Sequence, residues 1–529
     1  MTSREWTRRQ AIGRGGALIA GASGLATPLL TRPRVSSGPS GHASATTTDT
    51  TSTQLYWSFV SRPDLQPPIV TVTKANSSQR PQSGYVFTTP HAYPQASPGQ
   101  PSGCMIMDWD GELVWYSPPA DTGTNVVCNN LSAQSYQGKP VLTWYNGHQL
   151  FAGTTQYDAG TFTIADETYT PIATVSGFGD YTANMHECLL TSRGTAYITV
   201  TRQATADLTP IYGPANGQAL DSGVQEIDIA TGDLLFQWSG LDHIPVEETY
   251  GAYRSTGPVD PYHFNSIAVA PDGNLLLCSR HTWTVYKISP ATGAIIWRLG
   301  GKQSDFTMGS GADFAWQHHA RPHGPKGTVI SIFDDEAQST RVQEASQSRA
   351  IFLQLDTTSM QASLLRSYTR PDGALADSEG SVQLLDGGRV LVGWGSQPYL
   401  TEFSLDGQVL LDGLLPDLGG TPDAFFQSYR TLNFPWSATP AEIPAAAVRP
   451  GGTSSSVAYA SWNGATEVAR WTVLAGPRPT ALAPAGSRDR TGFETAIPAA
   501  SAGPYFVAVA EDSRGRELGR SAPVTLPAS

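Results

Sequence analysis

Along most of the chain apolar and polar residues alternate, and the alternation breaks at glycine or at Asp-Gly. A period of two puts every second side chain on one face, the pattern of a strand with one side buried. Breaks at Gly or Asp-Gly read as hairpin turns, because these residues accept the backbone that tight turns need. The pattern predicts strand–turn–strand units running toward a Trp or another large apolar residue. The clearest are MIMDWDGELVWYSP (105–118), IDIATGDLLFQWSG (227–240), YKISPATGAIIWRLGG (286–301) and FSLDGQVLLDGLL (403–415). FTIADETYTPIATVSG (162–177) and LQLDTTSMQASLLRSY (353–368) are weaker copies. Six copies at roughly 50 to 65-residue spacing predict the blades of a β-propeller, four strands in each. The competing architecture is a large β-sandwich with no true repeat.

A further strand precedes these units, as in GKPVLTWY (138–145), GTAYITVT (194–201), DGNLLLCSR (272–280), GTVISIFDD (327–335) and DGGRVLVGWG (386–395). In a propeller the innermost strand of each blade lines a central channel, so equivalent positions converge at one mouth. Eight residues before Gly138 is Asn130, before Gly194 His186, before Gly327 His319 and before Gly387 Glu379. His318 lies nine before Gly327, and His263 ten before Gly273. Three consecutive blades therefore carry histidine near one register, although only 10 of 529 residues are histidine. Loops tolerate the small differences in length.

The chain ends differently. WSATPAEIPAAAV (436–448) reads as a Pro/Ala-rich linker, and SVAYASWNGATEVARWTVLAG (456–476) and PYFVAVAEDSRGRELGRSAPVTL (504–526) alternate again. A Trp on one strand and a closing Tyr-x-Val-x-Val strand predict a small Ig-like or fibronectin-type sandwich. At the other end, TRRQAIGR (7–14) precedes GGALIAGASGLATPLL, the form of a twin-arginine export signal with its pair at Arg8 and Arg9. That apolar run is too short for a spanning helix, and the Ser/Thr/Gly/Pro-rich stretch after it reads as linker. Ala26 and Ala45 both offer cleavage points. The expected domains are a signal and linker over 1–45, a propeller over 55–437 and a sandwich over 445–529, in an all-β chain.

Composition agrees: 53 Gly, 39 Pro and only 15% charged residues suit strands and turns better than helices. A net charge of −12 without a long Lys/Arg run excludes a nucleic-acid surface, which needs a positive footprint. Cys104, Cys128, Cys188 and Cys278 form no C-x-x-C pair, which speaks against a thiolate zinc site. Outside the cytoplasm a Cys104–Cys128 disulfide is open to the chain, and Cys188 and Cys278 read as small buried apolar residues.

NMHECLL (184–190), DPYHFNSIAVAPDGNLLLCSRHTW (260–283) and WQHHARPHG (316–324) hold the candidate chemistry. A metal site would take His186, His263 and His318 as ligands, but Arg280 in the same mouth would repel a cation. A purely structural reading has the histidines capping strands; it is adopted for His323, in the turn RPHGPKG, and favoured for His148, His243 and His281. A nucleophile reading uses neutral imidazole to attack sulfur or phosphorus. Cationic and hydrogen-bonding neighbours then hold the oxygens of the group in flight. Asn265, two residues past His263, falls on the same strand face.

The segment from Asp260 to Gly301, with WQHHAR, ISIFDDE and GSVQLLDGGRVLVGWGSQP (380–398), resembles the PAPS-independent arylsulfotransferases. The resemblance begins near WSFVSRPDLQPP (57–68) and runs to about NFPW (433–436). It implies a six-bladed propeller that moves a sulfuryl group from a phenolic sulfate ester to a phenol through a sulfohistidine, with neither metal nor nucleotide cofactor. It implies His318 as nucleophile, His263, Arg280 and, from a shorter motif, His186 as partners of the sulfuryl oxygens, and Asn265 as a polar partner in substrate binding. His319 beside His318 is a departure; the register count alone favours His319, and the motif selects His318. The expected partners are small phenols and their sulfates, with no membrane span, and the expected location is the cell envelope or outside it. A non-catalytic binding propeller, or a propeller hydrolase or lyase, is the alternative.

Overall fold

A computed structural model describes residues 54–75, 82–93, 102–119, 126–148, 159–253, 257–339, 342–418, 424–452, 455–501 and 503–526. The export signal and the first linker lie outside them. The chain is nearly all-β, 54% strand, and the one α-helix among the described residues is the single turn Gly240–His243.

Each of the six units singled out by its alternation is a hairpin forming the outer part of an antiparallel sheet. Ile295–Gly300 pairs with Thr284–Ile288, that with Leu275–Ser279, and that with Phe264–Val269. The same order recurs in the sheet of His318–His323, Val329–Asp334, Arg349–Asp356 and Gln361–Tyr368. Five strands pack side by side in series: Val126–Tyr136 and Thr182–Leu190, which share one eight-stranded sheet, then Phe264–Val269, His318–His323 and Ser381–Leu384, each the first strand of its own sheet. Phe425–Phe434 lies between Ser381–Leu384 and Val126–Tyr136 and joins the two ends of that series.

Phe425–Phe434 pairs with Tyr85–Tyr93, so one sheet is built from the two ends of this region. No local pattern announces such a pairing. Thr71–Lys74 adds a strand to Val409–Leu414, and Thr307–Met308 adds a parallel one to Gln361–Tyr368. Apolar clusters fill the spaces between adjacent sheets, as where Cys278 and Leu299 meet Ile330 and Ile351.

The first strands share an irregularity. Their pairing slips beside Asn129, between Phe264 and Ser266, between His318 and Arg321, and at Tyr429–Arg430 opposite Thr89. Asn130, His263, His319 and Glu379 take left-handed backbone at φ of 57°, 54°, 55° and 70°. Such a conformation in a non-glycine residue costs about 1–3 kcal/mol and persists only where surrounding structure holds it. A bulge re-aims the side chains beside it, and here it does so beside Asn130, His263 and His319.

Cys104 and Cys128 form a disulfide across 24 residues, which contributes roughly 3 kcal/mol by restricting the unfolded chain. Cys188 and Cys278 are free and buried.

The predicted linker over 436–448 carries no strand until Ala445, but it is packed against the fold. Trp436 and Ala438 are buried, the Trp436 indole donates to the Tyr169 hydroxyl at 3.0 Å, and Ala445–Gly452 is already a strand. A large aromatic inside a Pro/Ala-rich run found a core to enter. The strands from Ala445 onward form two sheets around one apolar cluster that holds Trp471, Ile497 and Phe506. They are fastened to the rest: the Glu494 carboxylate accepts from Ser61 N at 2.6 Å and Val60 N at 3.1 Å, and Phe493 packs on Phe59 at 4.4 Å.

Candidate functional site

His318 opens its strand and is 2% exposed. Its Nδ1 lies 2.9 Å from Asp335 Oδ2, and the backbone N–H of Glu379 donates to its Nε2 at 3.2 Å. A backbone N–H only donates, so Nε2 carries a lone pair, the proton sits on Nδ1, and Asp335 accepts it. Burial first, then the charge of Arg280 and the other cationic groups around it, hold the imidazole well below the ordinary histidine range. His318 is therefore a neutral base with its lone pair on Nε2.

Arg280 follows the strand Leu275–Ser279 and is buried. Its Nη2 donates to Asp377 O at 2.6 Å and its Nη1 to His281 Nε2 at 3.0 Å. His186 and His263, from adjacent sheets, meet edge to face at 4.7 Å between ring centres. His186 Nδ1 pairs with Asn184 Oδ1 at 3.0 Å, and burial holds this ring neutral too. His263 stands just before its strand and directs Nδ1 at Asp260 Oδ2, 2.7 Å away. Burial alone would push the Asp260 carboxyl up; the charges and hydrogen bonds of His263, with His281 behind it, outweigh that and hold it below its ordinary value.

Asn265 is fully buried. Its Nδ2 donates to Gln317 O at 2.7 Å, the residue before His318, and its Oδ1 has no protein partner. The left-handed turn at His263 breaks strict alternation, so Asn265 lies under the His318 backbone instead of beside His263. Arg280 Nε and Asp335 Oδ1 are likewise buried without a protein partner. Unpaired buried polar atoms are rare in native structures, and three of them here belong to residues that touch or support His318.

Beneath this layer Glu187 bridges two arginines. Arg430 donates to Glu187 Oε1 at 3.0 Å, Asn130 Oδ1 at 2.9 Å and Asn265 O at 2.9 Å, and Arg321 donates to the other oxygen of Glu187. Two guanidinium groups against one carboxylate leave a net positive charge in this cluster, favourable to a nearby anion. His319 belongs to this lower layer. Its Nδ1 accepts from Val382 N at 3.2 Å, and its charged neighbours are Arg321 and Arg430. The bulge after His318 thus sends the two adjacent histidines to different surroundings.

The structure brings His186, His263, Arg280 and His318 together, with Asn265 as a strut. His323 is the last residue of the strand, not part of a turn, and pairs with Ser331 Oγ at 2.8 Å, away from this cluster. His243 lies on Trp238 at 4.6 Å; the His148 side chain lies outside the described residues. Asp260, His263 and His281 offer donor atoms within 4.8 Å of one another. The hydrogen bonds among them and to Arg280 already engage these atoms, and a guanidinium at 3.0 Å disfavours a cation.

Sequence reasoning missed Asp260, Asp335 and His91, and favoured a purely structural role for His281. Asp260 and Asp335 sit inside quoted motifs, three residues before His263 and at the end of a strand. His91 was out of reach of the register count, because the inner strand of its sheet comes from Phe425–Phe434. It accepts from Gln427 at 2.9 Å, and burial pushes its pKa down to about 4.

These neutral histidines set a pH dependence. His91, His186, His281, His318 and His319 titrate lower in the folded than in the unfolded chain. The stability they contribute is present above the unfolded value of about 6.5 and is lost as pH falls below it, by about 2 kcal/mol between pH 7 and pH 5 for His91 and for His281, whose folded values fall to about 4 and about 3. Asp334 and Asp335, raised by burial, pull the other way. The expected result is that His91→Gln shrinks the loss in denaturant midpoint between these two pH values, and an unchanged loss would show that His91 is protonated in the fold.

An all-β chain whose first strands converge on a neutral histidine and a buried arginine has the makings of a group-transfer enzyme. A family model described as Arylsulfotransferase (ASST) matches residues 132–414, more than half of the sequence and all five candidate site residues, and the chain belongs to that family. No curated protein matches the sequence significantly. Solved structures align with the chain at low identity and low structural similarity. A protein of unknown function from Bacteroides caccae is 13% identical with a TM-score of 0.39, covering 66% of this chain and 98% of its own. The periplasmic gluconolactonase of Pseudomonas aeruginosa is 12% identical with a TM-score of 0.33, covering 79% and 99%. Virginiamycin B lyase from Staphylococcus aureus is 7% identical with a TM-score of 0.31, covering 68% and 99%.

Proposed function

We propose that this chain is an exported aryl sulfate sulfotransferase that moves a sulfuryl group from a phenolic sulfate ester to a phenol by a ping-pong route. The observation that carries the reading is the fixed tautomer of His318: Nδ1–H on Asp335, lone pair on Nε2, and Arg280 close by. In the first half-reaction Nε2 gives up the hydrogen bond from Glu379 N and attacks sulfur, the S–O bond to the aryl group breaks, and the phenolate leaves with the electron pair. The sulfonylated ring keeps its Nδ1 proton, bonded to Asp335, and a positive charge that favours the ionised form of that carboxyl. Arg280 donates to the sulfuryl oxygens, and His263, entering this half with a proton on both nitrogens, gives its Nε2 proton to the departing phenolate, while the neutral His186 packs on the His263 ring. In the second half an acceptor phenol gives its proton to His263 Nε2, whose other nitrogen Asp260 holds, and its oxygen attacks sulfur. The N–S bond breaks and the electron pair returns to Nε2.

The same reading takes the sheets as six propeller blades and the C-terminal pair of sheets as an Ig-like support. Export by the twin-arginine route rests on Arg8 and Arg9. No helix among the described residues is long and apolar enough to cross a membrane.

With 4-nitrophenyl sulfate as donor and phenol as acceptor, the expected outcome is one phenyl sulfate formed per 4-nitrophenol released. Double-reciprocal plots at several acceptor concentrations should be parallel. Steady release of 4-nitrophenol without any acceptor would make the protein a hydrolase, and no release would leave a binding protein.

A further inference from the structure

The guanidinium of Arg280 is held on three sides. One edge donates to His281 Nε2 at 3.0 Å, the other to Asp377 O at 2.6 Å, and the carbon lies 5.2 Å from the ring centre of Trp316. His281 can accept that bond because its own Nδ1–H is spent on Asp260 O, 2.6 Å away. The backbone around His281 is fixed too, since Tyr250 N donates to His281 O at 2.7 Å.

Trp316 is backed by a stack that nothing in the transfer chemistry requires. Its ring meets Trp283 at 5.4 Å, Trp283 lies flat on Tyr250 at 3.5 Å, and the Lys302 ammonium caps Tyr250 at 4.7 Å. Lys302 also donates to Glu247 O at 2.9 Å and to Thr249 O, tying down the segment that carries Tyr250. Trp283 and Trp316 both take left-handed backbone, at φ of 53° and 59°. For bulky side chains that is a genuine strain, and both indole N–H groups are buried without a partner. Strain and unpaired donors in one stack mean that it is kept for where it puts its rings. Those rings support the face of Arg280.

Resting on the sulfotransferase reading, we infer that His281 and Trp316 are positioning residues that fix the plane of the Arg280 guanidinium toward the sulfuryl group. An arginine left to its own rotamers would deliver the same charge at scattered angles; a clamped one presents its fork in a single orientation.

The test is a double-mutant cycle read as kcat/KM for transfer from 4-nitrophenyl sulfate to phenol. His281→Ala is expected to lower it by about tenfold to a hundredfold, the usual effect of losing an orienting partner. His281→Gln, which keeps an acceptor on its side chain, should recover most of that loss. In an Arg280→Ala background His281→Ala should change the rate less than about twofold, because the two act as a unit. Equal losses in both backgrounds, or none in either, overturn the inference while leaving wild-type transfer intact. Should wild type transfer nothing, the function falls instead, and the clamp is still decided by 15N NMR of imidazole at neutral pH. A neutral His281 with its proton on Nδ1 supports the clamp; a proton on Nε2 removes its acceptor and ends it.

Discussion

His318→Ala is expected to abolish sulfuryl transfer, with a fall in kcat of at least about 10,000-fold, while His319→Ala keeps most of it. Removing a nucleophile removes the covalent route, and what remains is the modest advantage of binding and charge stabilisation. The two histidines are neighbours in sequence and equally buried, so a difference between them cannot come from general damage to the strand. It comes from surroundings: His318 has Asp335 on one nitrogen and Arg280 nearby, whereas His319 accepts from the Val382 backbone and faces Arg321 and Arg430. The covalent intermediate gives the decisive measurement. Donor labelled with 35S, quenched without acceptor and digested, should leave its label on a peptide containing His318. That label should vanish in His318→Ala and persist in His319→Ala. Label on any other histidine would displace His318 from this role.

The strand pattern was legible because a period of two survives in sequence whatever its distant partners are. All six hairpins were found this way, and the inner-strand register found His186, His263 and the His318–His319 pair. What stayed hidden has two physical causes. Pairings that close the chain over long separations leave no local mark, so Phe425–Phe434 and, with it, the position of His91 could not be read. Bulges also break alternation, and they occur where the site is. The left-handed turn at His263 placed Asn265 under Gln317 instead of beside His263. Counting from the turn glycine favoured His319 because the register slips between His318 and Arg321. Carboxylates were overlooked for a different reason. Asp260 and Asp335 lie in common turn and strand-end contexts, and only the folded distances of 2.7 and 2.9 Å tie them to histidines.

Asp335→Asn is the sharper test of the chemistry, because it keeps the shape and removes the carboxyl's capacity to become an anion beside a cationic His318. Two orientations are open to the new amide. With Nδ2 toward His318 it donates to Nδ1, forces the proton to Nε2 and destroys the lone pair; the Glu379 N–H would then face a second donor. With Oδ1 toward His318 the tautomer survives, but the amide places a donor where Asp335 Oδ1 now has no partner. It also leaves the sulfonylated ring without an anion to offset its charge. Both orientations slow formation of the intermediate, and the expected fall in its first-turnover rate lies between about 100-fold and 10,000-fold. KM for the donor should move much less, since Asp335 touches His318 and not the ester. Unlike His318→Ala, the variant should still accumulate label on His318, slowly. A first turnover within about threefold of wild type would mean that His318 needs no fixed tautomer. The structure would then have to supply a different route for the Nδ1 charge.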